Sequence, residues 1–169
     1  ETRFFVAESF DGPSLAGMFS ITAMDAIQLA ENDRSQCPAI SNGFIANDIT
    51  AVSTSFSVLP SGIGAIDYSS ITNVVSGYVA LGGDEIVRVT RVSDTFTVVG
   101  GVAGRAQFGT VAAAHSDEDR VQLCEYIEAQ TPSAIINRMF TVFAGMDPAL
   151  IPLTEWEQEE DVYLQRVYT

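Results

Sequence analysis

The stretch that decides the fold is Gly77-Tyr78-Val79-Ala80-Leu81-Gly82-Gly83-Asp84-Glu85-Ile86-Val87-Arg88-Val89-Thr90-Arg91-Val92-Ser93-Asp94-Thr95-Phe96-Thr97-Val98-Val99. Gly77 to Leu81 and the Val- and Ile-rich Glu85 to Val92 are strand candidates. The Gly82-Gly83 link between them signals a hairpin, because primed turns need positive φ at both central positions. Ser93-Asp94 turns the chain again, and Thr95 to Val99 predicts a third strand of a meander. Upstream, Phe56 and Val58 form a short period-two run ending at Pro60-Ser61-Gly62. Downstream, Gly100-Gly101, Gly104 and Gly109 punctuate an irregular stretch. Residues 54–120 are therefore expected to form a small antiparallel β-module, compatible with a barrel.

The flanks differ in kind. Phe4-Phe5-Val6-Ala7 predicts extended chain, broken by Asp11-Gly12-Pro13. Gly17 to Thr22 alternates Phe19 and Ile21 with Ser20 and Thr22, the pattern of a strand with one wet face. Met24, Ile27 and Ala30 recur at helical spacing and predict a short helix ending near Asn32. Ser41-Asn42-Gly43 supplies a start signal for a helical turn over Phe44 to Thr50. At the other end, Thr131-Pro132 opens a helix carrying the stripe Ile135, Ile136, Met139, Phe140 and Phe143, with Gly145 suited to its C-cap. Thr154-Glu155-Trp156-Glu157 is a capping box for a last helix with Trp156, Tyr163, Leu164 and Val167 on one face. The predicted class is α+β: strands and short helices (residues 1–53), a small antiparallel β-module (54–120) and a helical part (121–169).

Composition limits the partners. The 169 residues carry 22 acids against 8 basic residues, a net charge of -14, and every basic residue is arginine. Nucleic-acid binding through phosphates needs a surplus of Lys and Arg, and so does attraction to an anionic membrane surface. No apolar run approaches the roughly 20 residues that span a bilayer. A 47% hydrophobic share can build a core. The chain starts at Glu1 and stops at Thr169 where a further element would follow, so it is expected to be a piece of a longer protein.

Residues that could carry chemistry have simpler explanations. His115 beside Asp117 could be a general base, but no G-x-S-x-G elbow accompanies it; it is expected to be a loop histidine bonded to backbone or to a carboxylate. Asp117-Glu118-Asp119-Arg120 lacks the glycine and spacing of a calcium loop and is expected to be a solvated acidic turn. Glu155, Glu157, Glu159, Glu160 and Asp161 would serve as a glycosidase pair only beside an aromatic cleft; a solvated helix face is expected. Gly100-Gly101-Val102-Ala103-Gly104-Arg105 lacks the G-K-[ST] ending of a phosphate loop. Phe4, Phe5, Phe10 and Phe19 are expected to be core. Cys37 and Cys124 leave a disulfide and a pair of reduced, half-buried thiols both open, the thiols being the simpler reading. One histidine and two cysteines cannot build a four-ligand structural zinc site. No catalytic, cofactor-binding or metal-binding residue is assigned.

Several stretches are distinctive together: Phe4 to Pro13, Asp33-Arg34-Ser35-Gln36-Cys37-Pro38, Asn42 to Ala46, Gly77 to Gly83, Phe108-Gly109-Thr110 with the Ala-rich run to His115, Asp119 to Cys124, and Ile151 to Thr169. Over essentially the whole chain they resemble the central tail-hub (tail tip or baseplate hub) proteins of long-tailed phages and prophages. The resemblance implies a structural, non-enzymatic virion component, made in the bacterial host cytoplasm and placed at the tail tip. It implies a β-rich hub body, made of residues 1–53 and 121–169, into which the 54–120 β-module is inserted, and a homotrimeric ring in the full-length protein that joins tail tube to spike or fibres around the DNA ejection path. No cofactor, no sequence-specific nucleic acid and no membrane insertion are expected. Two alternatives come from other classes. In one, the β-module binds a glycan or a partner fibre, with Tyr68 and Tyr78 stacking on sugar rings. In the other, a cell-wall hydrolase would need Cys124 and His115, or a carboxylate pair, in one cleft.

Overall fold

Alternation of apolar and polar side chains builds the larger part of the molecule. In the computed structural model, which describes residues 5–14, 16–25 and 37–164, the chain divides into two units. One is Pro38–Tyr126; the other joins Glu1–Cys37 with Ile127–Thr169. The class is α+β, as expected.

The Pro38–Tyr126 unit is a closed six-stranded barrel. Its strands are β3 (Gly43–Ile45), β4 (Ser55–Leu59), β5 (Gly77–Leu81), β6 (Glu85–Val92), β7 (Thr95–Val98) and β8 (Arg120–Cys124), in the order β3-β4-β7-β6-β5-β8, every pair antiparallel. The β5–β6–β7 meander lies where the sequence puts it. Gly82 and Gly83 take φ of 57° and 89° in a turn closed by the Asp84 N–H donating to the Leu81 carbonyl at 3.1 Å. Closure depends on two strands at the margins. Phe44 to Thr50, expected as a helical turn, instead begins within β3 and carries Ile49, bridged to His115. Residues 120–124, placed largely in the helical third by the sequence, form β8 between β5 and β3. Closure leaves no free sheet edge in the barrel, which explains why a three-residue β3 persists.

Period-two phasing fills the interior. Phe56 and Val58, Val79 and Leu81, Val87 and Val89, Phe96 and Val98, and Val121 all point inward and are buried. Helix α1 (Ile63–Asp67) and the turn after it add Ile63, Tyr68 and Ile71. Tyr68, expected as a sugar-stacking residue, is instead fully buried, and its hydroxyl donates to the Val121 carbonyl. Burial pushes that hydroxyl's pKa up to about 12. A Cβ at Gly43 would collide with the Tyr68 hydroxyl, which is why a glycine opens β3. Asp94, in the β6–β7 turn, accepts from the N–H groups of Gly62 (2.7 Å) and Gly64 (2.9 Å). Those two donors hold its carboxyl below the usual range.

The other unit contains a two-stranded ribbon and helices. Strand β1 (Phe5–Asp11) pairs antiparallel with β2 (Ser20–Asp25), with a bulge between Ala7 and Ser9. The one wet face expected here is two: Phe5, Phe10, Met18, Phe19 and Ile21 are 60–69% exposed, so Phe5, Phe10 and Phe19 are not core. The helix expected from Met24 to Asn32 lies mostly outside the described residues; Met24 itself is in β2. Helix α2 (Pro132–Arg138) starts as expected, with Thr131 accepting from the Ala134 N–H and Pro132 in its first turn. It continues as a π-helical turn over Met139–Phe143, and Gly145 follows at φ 68°. Helix α3 (Leu153–Tyr163) starts one residue before the expected capping box, so the Thr154 hydroxyl caps nothing.

Candidate functional site

The inward phase of β6 begins with a charge. Glu85 is in register with Val87 and Val89 and is 0% exposed, while Arg105 is 3% and His115 6% exposed. A buried carboxylate survives only if its oxygens are fully engaged. Arg105 Nε donates to Oε1 and one terminal nitrogen to Oε2, both at 2.6 Å. The Ala106 N–H (3.1 Å) joins on Oε1; the Ala113 N–H and His115 Nε2 (3.0 Å each) join on Oε2. Arg105 spends its remaining donors on the carbonyls of Thr50 and Ser53 (3.0 Å each) and Ala113 (2.9 Å), so all five are used. Burial by itself would push the Glu85 carboxyl up. The Arg105 guanidinium, the two N–H groups and the imidazole outweigh it and hold the pKa at about 2.

This cluster ties chain segments together. It joins the loop at 50–53, the irregular stretch at 100–113 and His115 to the start of β6. His115 therefore bonds a carboxylate, as expected of a loop histidine, with Asp119 at 3.5 Å on its other nitrogen. Cys124 pairs with Tyr78 in β5, whereas His115 packs beside Gly82, just past the end of that strand. Four residues of strand separate the two positions, about 13 Å at roughly 3.3 Å per residue, so no Cys–His dyad forms. Cys37 and Cys124 are half-buried thiols outside any disulfide, and burial raises the Cys124 thiol's pKa. Among the described residues no cluster of three or more His, Cys, Asp or Glu could hold a metal ion. The acidic turn at 117–120 is held by one local bond, the Ser116 N–H to Asp119, and one long-range bond, the Asp117 N–H to Asp48.

Arg105 and Glu85 were not singled out from the sequence. The available signal was phase: Glu85 falls on the inward alternation of a strand whose other inward residues are Val. Arg105, at the end of the glycine-rich stretch, has no local pattern that names its partner.

The pinned loop presents an aromatic surface on the barrel. Tyr78 points outward from β5, Tyr126 follows β8, and Phe108 stands on the loop after Arg105. Ring centroids are 4.9 Å apart for Tyr78–Phe108, and 5.2 Å for both Tyr78–Tyr126 and Phe108–Tyr126. Phe108 sits at φ 56°, a left-handed conformation unfavourable to an aromatic residue, and the residue is 57% exposed. Strain of this kind persists only where surroundings over-determine it. Here Glu85 holds the Ala106 N–H, Gln107 Nε2 donates to the carbonyls of Ala103 and Arg105, and the Thr110 hydroxyl donates to the Gln107 carbonyl. Arg88, opposite Tyr78 on β6, borders the triad and donates to the Ser76 hydroxyl. Of the two tyrosines expected to stack on a ligand, Tyr78 is in the cluster and Tyr68 is not.

Fold and surface together define a mixed α+β protein with a pinned, closed antiparallel barrel. No protein-family model, curated protein or solved structure matches the chain.

Proposed function

We propose that the chain is a structural, self-assembling component of a phage tail hub, working through packing between subunits and not through bond chemistry. The β1–β2 ribbon carries this reading. A two-stranded ribbon alone is marginally stable in water, yet this one displays Phe5, Phe10, Met18, Phe19 and Ile21 at 60–69% exposure. Phe10 and Phe19 pack on each other with centroids 5.6 Å apart. Exposed apolar side chains beside open strand edges are the chemistry of a subunit interface. Cyclic contacts between identical copies close into a ring when the rotation closes. The sequence resemblance supports the placement in a tail hub, and a lysine-free surface of net charge -14 suits a wall past which DNA must slide without adhering. Among the described residues no helix is long and apolar enough to cross a membrane.

Light scattering over a range of concentrations is expected to show a closed oligomer. The double variant Phe10→Ser/Phe19→Ser is expected to be monomeric at concentrations where the parent assembles, with its circular dichroism little changed. A parent chain monomeric at every concentration overturns the proposal.

The triad Tyr78, Phe108 and Tyr126 favours a second reading, in which the barrel binds a glycan or a partner fibre at the tail tip. Ring faces suit the apolar faces of sugars, and the strained Phe108 is held out toward solvent. Phe108→Ala is expected to abolish retention on a glycan array while leaving the barrel folded. An array with no hits for the parent chain removes the glycan form of this reading.

A further inference from the structure

The expected solvated acidic face of α3 is interrupted by Glu160, which is 7% exposed. Its Oε2 accepts from the Ser133 N–H at the start of α2, at 3.1 Å. Its Oε1 is buried and has no hydrogen-bond partner among the described residues. A buried acceptor without a donor costs on the order of 1–3 kcal/mol, more for a charged group, so it points to something the site is built to receive. Glu160 lines a groove of about 520 Å³ between α2 and α3, with Ser133, Ile136, Glu155, Trp156, Glu159 and Tyr163 among its walls.

We propose that this groove binds the side chain of an arginine presented by a partner polypeptide. The ligand must be cationic, because Glu155, Glu159 and Glu160 line one groove. It must carry N–H donors, because Oε1 lacks one; this sets aside quaternary ammonium groups. A planar guanidinium satisfies both conditions and also stacks on the Trp156 ring. The terminal torsion of a glutamate is broad, so the carboxylate can turn to bring Oε1 to a seated donor, exchanging part of the Ser133 N–H contact for a charge-assisted bond. A guanidinium fills only a fraction of the space. The apolar wall of Ile136, Tyr163 and Leu164 suits the alkyl stem of an arginine and its neighbouring residues, which favours a polypeptide over a free small cation. The inference stands whether or not the chain is a hub component.

Trp156 is the only tryptophan in the chain, so its emission reports on the groove directly. The full chain is titrated with the tripeptide acetyl-Leu-Arg-Leu-amide and with its citrulline counterpart, which keeps the shape but is neutral. A saturable change in emission is expected with the arginine peptide and none with the citrulline one. Glu160→Gln is expected to weaken binding roughly tenfold, the loss of one charge-assisted hydrogen bond. Should that variant misfold, Glu155→Gln/Glu159→Gln alters carboxylates outside the buried contact and is also expected to weaken binding. Equal response to both peptides, or no saturable response, overturns the proposal. Ethylguanidinium binding as tightly as the tripeptide overturns the polypeptide source.

Discussion

Replacing Arg105 with alanine is expected to destabilise the barrel by about 3–5 kcal/mol, the range for removing one partner of a buried ion pair. The loss is large because the variant strands more than Glu85. The carbonyls of Thr50, Ser53 and Ala113 each lose their Arg105 donor. Glu85→Ala is expected to cost a similar amount, since it orphans Arg105 and the N–H groups of Ala106 and Ala113. The double variant is expected to be little worse than either single one, because the two residues act as one unit. Trp156 lies in the other unit, so its fluorescence would miss the effect. Hydrogen exchange at the Val87, Val89 and Val121 amides under increasing urea reads the barrel itself. Additive losses would show that the two side chains are not coupled.

The same pair sets an acid limit. The Glu85 carboxyl is lowered from 4.5 to about 2 in the folded chain. A lowered folded-state pKa contributes stability that is fully present above the unfolded value and is lost as pH falls through the folded one. The barrel is therefore expected to lose this contribution between about pH 4.5 and pH 2, and Glu85→Gln is expected to flatten that part of the profile.

Phe96→Ala is expected to be comparably damaging, at about 3–5 kcal/mol. Phe96 is 0% exposed. It stacks on Phe56 with centroids 5.3 Å apart and meets Tyr68 edge-on at 5.1 Å. Removing the ring opens a cavity between residues held by different elements, Phe56 on β4 and Tyr68 after α1, and a closed barrel has little freedom to collapse into it. Phe96→Leu keeps most of the volume and is expected to cost clearly less. The urea midpoint for barrel exchange checks both, and equal midpoints for the two variants would contradict the cavity argument.

The meander was legible because its signals are local. Alternation at Val79 and Leu81, at Val87 and Val89, and at Phe96 and Val98 needs only neighbours in sequence, and Gly82-Gly83 turns the chain through its own φ. The Thr131-Pro132 helix start is equally local. The strands that close the barrel were not legible. Gly43–Ile45 is too short to show a period, and Arg120–Cys124 follows an acidic turn with only Val121 and Leu123 in phase. Tyr68 carries no mark separating a core tyrosine from a ligand-stacking one; its place follows from a hydroxyl that reaches Val121. Glu160 sits in a run of acids and reads as solvated, and only the approach of Ser133 shows that it is not.

Charge, α+β class, the β5–β6–β7 meander and the positions of the turns were determined by the sequence alone, because each follows from side-chain periodicity, composition or the φ freedom of glycine within a few residues. Barrel closure, the Glu85–Arg105 pair, the Tyr78–Phe108–Tyr126 surface and the burial of Glu160 were decided by the tertiary structure. Each joins residues about 18 to 78 positions apart, and nothing in a local pattern says which of many compatible partners a strand, an arginine or a carboxylate will meet once the chain has packed.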